Sequence, residues 1–349
     1  MSGLGLVVGF TAWIVYDAWL RYGFAGPMLF TVILCAVAYA GGRLGSRLVG
    51  RWLAPTLVLF VAVFLLLLYP LGLFDAVKIR FLGYDNSRSA FFIQVAFAGL
   101  MIAADRRWRM KPGLVRNIAF GAAMAGFALF TLLALRINST AGRATTVFLL
   151  IGLYVVFRRK WKREAILLAS IVLAGAIVSS FLLAEAFARG NNSPLVARAA
   201  ASLGASRVDL WSEGYNLVRA HPLNGVGPDL FRLASTTAKS RPEVLQWAHS
   251  EFLQQAAETG FIGLGLLLGL FGWILYRLAR TRTVLSTLAA LAVAALGVHA
   301  CVDYVLHFPT LPAIAAALAG TTAGPGRRIR RRRGAKSRAR SADPAGSSA

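Results

Sequence analysis

Ten apolar runs settle the class of this chain before any single residue is considered. They fall near 3–20, 27–42, 53–74, 89–104, 118–135, 139–157, 165–183, 260–276, 284–301 and 306–323. A helix crossing a hydrocarbon core of about 30 Å needs about 20 predominantly apolar residues, and in that layer every backbone group must be satisfied within the protein. The fold class expected is therefore all-α: a polytopic helical membrane protein with about ten transmembrane helices. Composition agrees, since 57% of the 349 residues are hydrophobic and the mean hydropathy is +0.63. The runs divide the chain into seven helices over 1–183, a large outer loop with short helices over 184–258, three helices over 259–323 and a basic tail over 324–349.

A formal net charge of +24 would suit nucleic acid if it were gathered on one folded face. It is distributed otherwise. With alternate connections assigned to opposite sides, 25 of the 38 Lys and Arg but only three of the 14 acidic residues fall on one side, giving +22 there and +2 opposite. Such a bias places both termini in the cytoplasm and the 184–258 loop outside. The first run follows an uncharged Met-Ser-Gly without a small-residue cleavage site, so it is expected to be a retained span. The tail, with RRIRRRRGAKSRAR, cannot bury a core and is expected to be disordered against anionic lipid headgroups, with no nucleic acid partner. Cys35 and Cys301 both sit inside apolar runs, which excludes a disulfide scaffold and a Cys-based metal site.

Chemistry has to reside where the chain stops being apolar. Arg207, Asp209, Glu213, Arg219, His221, Asp229, Arg232, His249, Glu251 and Glu258 crowd into 207–258, whereas no Walker loop, HExxH or paired-Cys spacing occurs anywhere. Counting about 20 residues back from Phe157 starts that span at Asn138, which puts Arg143 inside the outer boundary. An ionisable residue at that depth faces a cavity or partner, unless it snorkels to the interface. Ser206 with Asp209 reads as a helix start, and Val208, Trp211, Tyr215 and Val218 as the apolar stripe of a surface helix over 207–220. Arg207 in its first turn gains nothing from the helix dipole, so it is either solvated or kept for an anion. HPLNGVGPDLF is a chain reversal that contains His221. On a helix His249 would share a face with Phe252, Leu253 and Ala256 and point inward, as a structural histidine or as a reactive one. His299, Asp303 and His307 have a four-residue spacing, but Pro309 and the bend between the last spans favour an outer polar junction over a metal site.

In order and spacing, RVDLW, HPLNGVGPDLF, AHSEFLQQAAETGFIGLG and HACVDYVLHFP over 207–312, preceded by NSTAGR at 138–143, resemble the O-antigen ligase and polymerase superfamily of bacterial membrane glycosyltransferases. The resemblance implies a multi-pass inner-membrane enzyme that transfers a glycan from a polyprenyl diphosphate carrier to a glycan or lipid-linked acceptor at the periplasmic face, with no cofactor or metal. It implies Arg143 and Arg207 as ligands of the carrier diphosphate and His249 as the catalytic base. His221 and Asp303 rank as supporting residues. The family often has twelve spans where ten are counted here, and Gly142 stands where a serine commonly precedes the arginine.

The residue types suit that chemistry. A diphosphate leaving group is already activated, so the site has to stabilise its charge and accept a proton from the attacking hydroxyl. Arginine provides the first and neutral imidazole the second. No second nucleophile is evident, so a single inverting displacement is expected. The competing readings are a polymerase of the same superfamily and a polysaccharide transporter in which Arg143 and His249 line a pathway. Against the transporter, no internal repeat or matched pair of interrupted helices is seen.

Overall fold

In the computed structural model, residues 3–21, 25–68, 84–158, 162–240 and 245–322 are described. They contain helices and no strand. The helices are α1 (Gly3–Arg21), α2 (Gly26–Leu48), α3 (Leu53–Leu68), α4 (Asp85–Arg109), α5 (Leu114–Arg136), α6 (Thr140–Arg158), α7 (Lys162–Ala188), α8 (Pro194–Leu203), α9 (Ala205–Ala220), α10 (Phe231–Ala234), α11 (Thr236–Ser240), α12 (Glu251–Thr281), α13 (Val284–Ala300) and α14 (Thr310–Thr321), with a 3-10 turn at Val305–His307. The basic tail expected at 324–349 lies outside the described residues.

Among the described residues each of the ten apolar runs contains a helix. Seven of these, α1, α2, α4, α5, α6, α7 and α12, are long and apolar enough to cross a membrane. Among the described residues α3, α13 and α14 are shorter, at 16, 17 and 12 residues. The molecule is thus a polytopic helical membrane protein whose helices divide into centre and periphery. The apolar window of α2 is 6% buried and that of α4 is 89% buried. Sixteen of the 17 residues of α13 are buried, so this Ala- and Leu-rich helix is the axis around which α4, α6, α7, α12 and α14 pack. Small residues permit the close approach. Gly152 of α6 sits among Leu288, Leu100 and Phe97, and a Cβ on Gly42 or Gly320 would strike the backbone of Ala317 or Tyr39 where α2 and α14 cross.

The turn between α12 and α13 is made by Arg282 in the left-handed region at φ 48° and by a capping box. Thr283 Oγ1 accepts from the Ser286 N–H at 3.0 Å while Ser286 Oγ accepts from the Thr283 N–H, also at 3.0 Å.

The expected 260–276 span is longer than its apolar run, because α12 begins at Glu251 and breaks at Gly260 (φ 66°, ψ −174°). Breaking a helix strands backbone groups, and here the HPLNGVG turn takes them up. The Phe261 N–H donates to Pro222 O at 2.8 Å, while the Val226 and Gly227 N–H groups donate to Ala257 O and Glu258 O at 2.9 and 2.8 Å. Trp13 Nε1 of α1 donates to Thr259 O at 3.1 Å. Two glycines make the contact possible: a Cβ on Gly260 would run into the Leu223 carbonyl, and one on Gly225 (φ 69°) into Glu258. Gly260 occupies a region of backbone space open almost only to glycine, so Gly260→Ala should cost about 1–3 kcal/mol and free the turn. Limited proteolysis at 222–230 and thermal unfolding would measure this against Gly265→Ala, where an added Cβ meets nothing within 4 Å. Equal behaviour of the two variants would refute the docking.

Candidate active site

Asp303, in the connection after α13, is fully buried and gathers polar side chains from three distant segments. Its Oδ2 accepts from Tyr84 Oη at 2.7 Å and from Asn86 Nδ2, both at the start of α4, and lies 3.6 Å from the Arg207 guanidinium in the first turn of α9. Its Oδ1 accepts from the Tyr304 N–H at 2.8 Å and stands 3.3 Å from His249 Nδ1. The last contact is an ion-pair distance that falls short of a well-aligned hydrogen bond. Burial opposes ionisation of Asp303, but His249, Tyr84 and Arg207 outweigh it and hold the carboxyl below its ordinary range. The same negative charge, added to burial, pushes the Tyr84 phenol up, and Tyr304 is raised to about 12.

His249 is 8% exposed and adopts φ 52°, in the left-handed region. A non-glycine residue held there is strained and needs its surroundings to keep it. Three contacts do so. On the preceding residue, the Ala248 N–H donates to Gln254 Oε1 at 3.0 Å. Gln254 is fixed in turn, its Nε2 donating to Glu258 Oε1 at 3.1 Å and facing His307 Nε2 at 3.3 Å. Across the ring, His249 meets Tyr304 edge-on at 4.8 Å, and Tyr304 stacks between Trp247 at 4.5 Å and Tyr84 at 5.1 Å. Glu251 Oε1 completes the support by accepting from both the N–H and Nδ1 of His307, at 2.9 and 2.8 Å.

The loop beneath this cluster is held by a second carboxylate. Glu213 of α9 accepts from Ser235 and Thr236 and from Thr237 Oγ1 at 2.9 Å and its N–H at 3.2 Å, which ties α9 to the start of α11. Burial acts against that carboxylate, yet these hydrogen bonds lower its pKa.

The structure brings Arg207, His249 and Asp303 together. His221 is elsewhere: it is exposed, caps the end of α9 and belongs to the docked turn. Arg143 is exposed in the first turn of α6 and makes no side-chain contact with this cluster among the described residues. Its neighbour Gly142 is pressed on Ser89, three residues along α4 from Asn86, and a Cβ there would collide with Ser89 Oγ. The contact leaves no room for a side chain at position 142 unless Ser89 shifts.

Two expectations need correction. His249 points inward, but from the left-handed residue before α12 rather than from a helical face, because Ser250 is the cap and Glu251 the first helical residue. The α9 helix starts at Ala205 with Gly204 (φ 86°) as its cap, and the Ser206 side chain does not cap it. His299, Asp303 and His307 do not converge, since α13 ends at Ala300: Asp303 faces His249, His307 faces Glu251, and both ring nitrogens of buried His299 lack a partner among the described residues. Tyr84 and Asn86 went unseen in the sequence. Their signal was the polar run YDNSRS abutting an apolar span.

Asp303→Asn keeps the shape but turns an NH2 toward donors, at a cost of about 1–3 kcal/mol. Because the folded pKa is depressed below the unfolded value of about 3.9, the stability from Asp303 is present above that value and lost as pH falls through the folded pKa. Thermal unfolding should therefore show a constant gap between wild type and variant from about pH 5 to 8 and a narrowing gap below about pH 4. A gap that closes near neutrality would contradict this account of Asp303.

Residues 128–268, from within α5 to the part of α12 just past its break, match the family model described as O-antigen ligase. The matched stretch contains Arg143, Arg207, His221 and His249, and Asp303 lies beyond it. Comparison with curated proteins gives no match. Over that stretch, which carries Arg207 and His249, this multi-pass membrane protein is similar to the O-antigen ligase family, and the match supports the O-antigen ligase and polymerase superfamily.

Proposed function

We propose that this protein transfers a glycan from a polyprenyl diphosphate carrier to the hydroxyl of a separate acceptor, as a ligase rather than a polymerase. The observation that carries the reading is the Asp303 carboxylate, which holds Arg207 and the strained His249 at one point. A proton on His249 Nδ1 faces that carboxylate, which leaves the Nε2 lone pair to act as base. Nε2 removes the proton of the acceptor hydroxyl, the oxygen attacks the anomeric carbon, and the bond to the carrier diphosphate breaks with its electron pair leaving on the phosphate. Arg207, only partly engaged by Asp303 and Tyr84, has donors to spare for that charge. Arg143 is given the outer part of the carrier diphosphate, reached from the exposed first turn of α6.

Purified protein, lipid-linked glycan and a panel of acceptors would test this, scored for new glycosidic bonds. His249→Ala should slow transfer by roughly 10²- to 10⁴-fold with carrier binding near normal. His221→Ala should lose less and in proportion to stability. Arg207→Ala with Arg143→Ala should weaken carrier binding sharply, and Arg→Lys should restore it incompletely because the planar fork is lost. Products extended on one carrier would favour the polymerase, and unimpaired transfer by His249→Ala would dismiss it as the base.

We place the termini in the cytoplasm and the 184–258 loop in the periplasm of an inner-membrane protein, on the charge bias of +22 against +2. Ser240→Cys, at the end of α11, should react with an impermeant thiol reagent in cells whose inner membrane is intact. Labelling only after that membrane is opened would invert the topology.

A further inference from the structure

A second polar site lies at the other end of α4. From Asn86 to Arg107 that helix rises about 30 Å at 1.5 Å per residue, so this end is a membrane thickness away from Asp303. Here Arg107, Arg116, Asn117 and Phe120 line a cavity of about 400 Å³, within the usual range for small-molecule sites. Its described lining holds two guanidiniums, a carboxamide and a ring, with no carboxylate. The guanidiniums are positioned. Arg107 lies over the rings of Phe120 and Phe157 at 5.6 and 4.9 Å, and Arg116 Nε and an Nη donate to Asn117 Oδ1 at 3.2 and 3.1 Å. Elsewhere on the first turns of α5, outside that lining, Leu114, Val115 and Ile118 are 74, 70 and 61% exposed, the aspect of a surface that meets acyl chains.

The geometry points to a binding site for the phosphate of an anionic phospholipid, with the headgroup between Arg107 and Arg116 and the chains over Leu114, Val115 and Ile118. Two planar forks suit phosphate oxygens. Exposed apolar side chains on the same helix suit a ligand that carries a hydrophobic tail, and basic pockets between membrane helices are a known form of headgroup site. This assignment is independent of the transfer reaction, whose residues are at the far end of the helix.

Native mass spectrometry of delipidated protein would test it, with phosphatidylglycerol, phosphatidylcholine or inorganic phosphate added. Phosphatidylglycerol should stay bound under activation that removes phosphatidylcholine, and Arg107→Gln with Arg116→Gln should reduce its occupancy by about tenfold or more. Arg107→Lys with Arg116→Lys, which preserves charge but not the fork, should fall between and guards against a variant that fails to fold. Displacement of phosphatidylglycerol by millimolar inorganic phosphate would reassign the site to a soluble phosphate and overturn the lipid. Equal retention of the two lipids, or equal phosphatidylglycerol occupancy in wild type and both variants, would remove the site altogether.

Discussion

A fully buried carboxylate in a membrane protein is affordable only when several polar groups converge on it, and the end of this molecule that carries the large loop is organised by that requirement. Asp303 accepts hydrogen bonds from Tyr84 and Asn86 at the mouth of α4 and from its neighbour's backbone, with Arg207 and His249 of the large loop at ion-pair distance. Removing any one donor leaves charge uncompensated in a low-dielectric setting. The two loop residues assigned to chemistry are therefore positioned by the same group that would otherwise be a liability. The arrangement follows the general logic of a base oriented by a carboxylate, reached here across a membrane bundle instead of within one domain.

Strain is the second element of the site. His249 carries a left-handed backbone while its neighbours Ala248 and Ser250 are buried, and the Gln254 amide is the device that keeps it so. Gln254 connects this strained residue to Glu258, His307 and Glu251 through hydrogen bonds that all lie inside the outer segment of α12 and the connection before α14. Polar groups so interlocked make a rigid mount. A base that has to meet a hydroxyl within hydrogen-bond reach benefits from such rigidity.

The spans were legible because length and apolarity are local properties, and Arg207 and His249 could be singled out because they lie in motifs with a recognisable order. Gly225 and Gly260 were visible as glycines, but nothing in the pattern of either told that they face each other's backbone. A left-handed histidine has no signature in side-chain periodicity, so His249 was assigned to a helical face that does not exist. Tyr84 and Asn86 were missed since their role depends on contacts more than 200 residues away in sequence. The reach of Arg143 was read from depth, which says how far along a helix a residue sits and not which way it points.

The interrupted helix α12 sets an order of assembly. Its free carbonyls and the turn at 222–227 satisfy one another, yet the turn is synthesised first and its partners at 257–261 belong to a helix that must still enter the bilayer. The Pro222 carbonyl meets its donor, the Phe261 N–H, only where the helix resumes past the break. The turn and the break are thus one hydrogen-bonded unit, and a cut between 227 and 257 would leave both sides with unmet backbone groups.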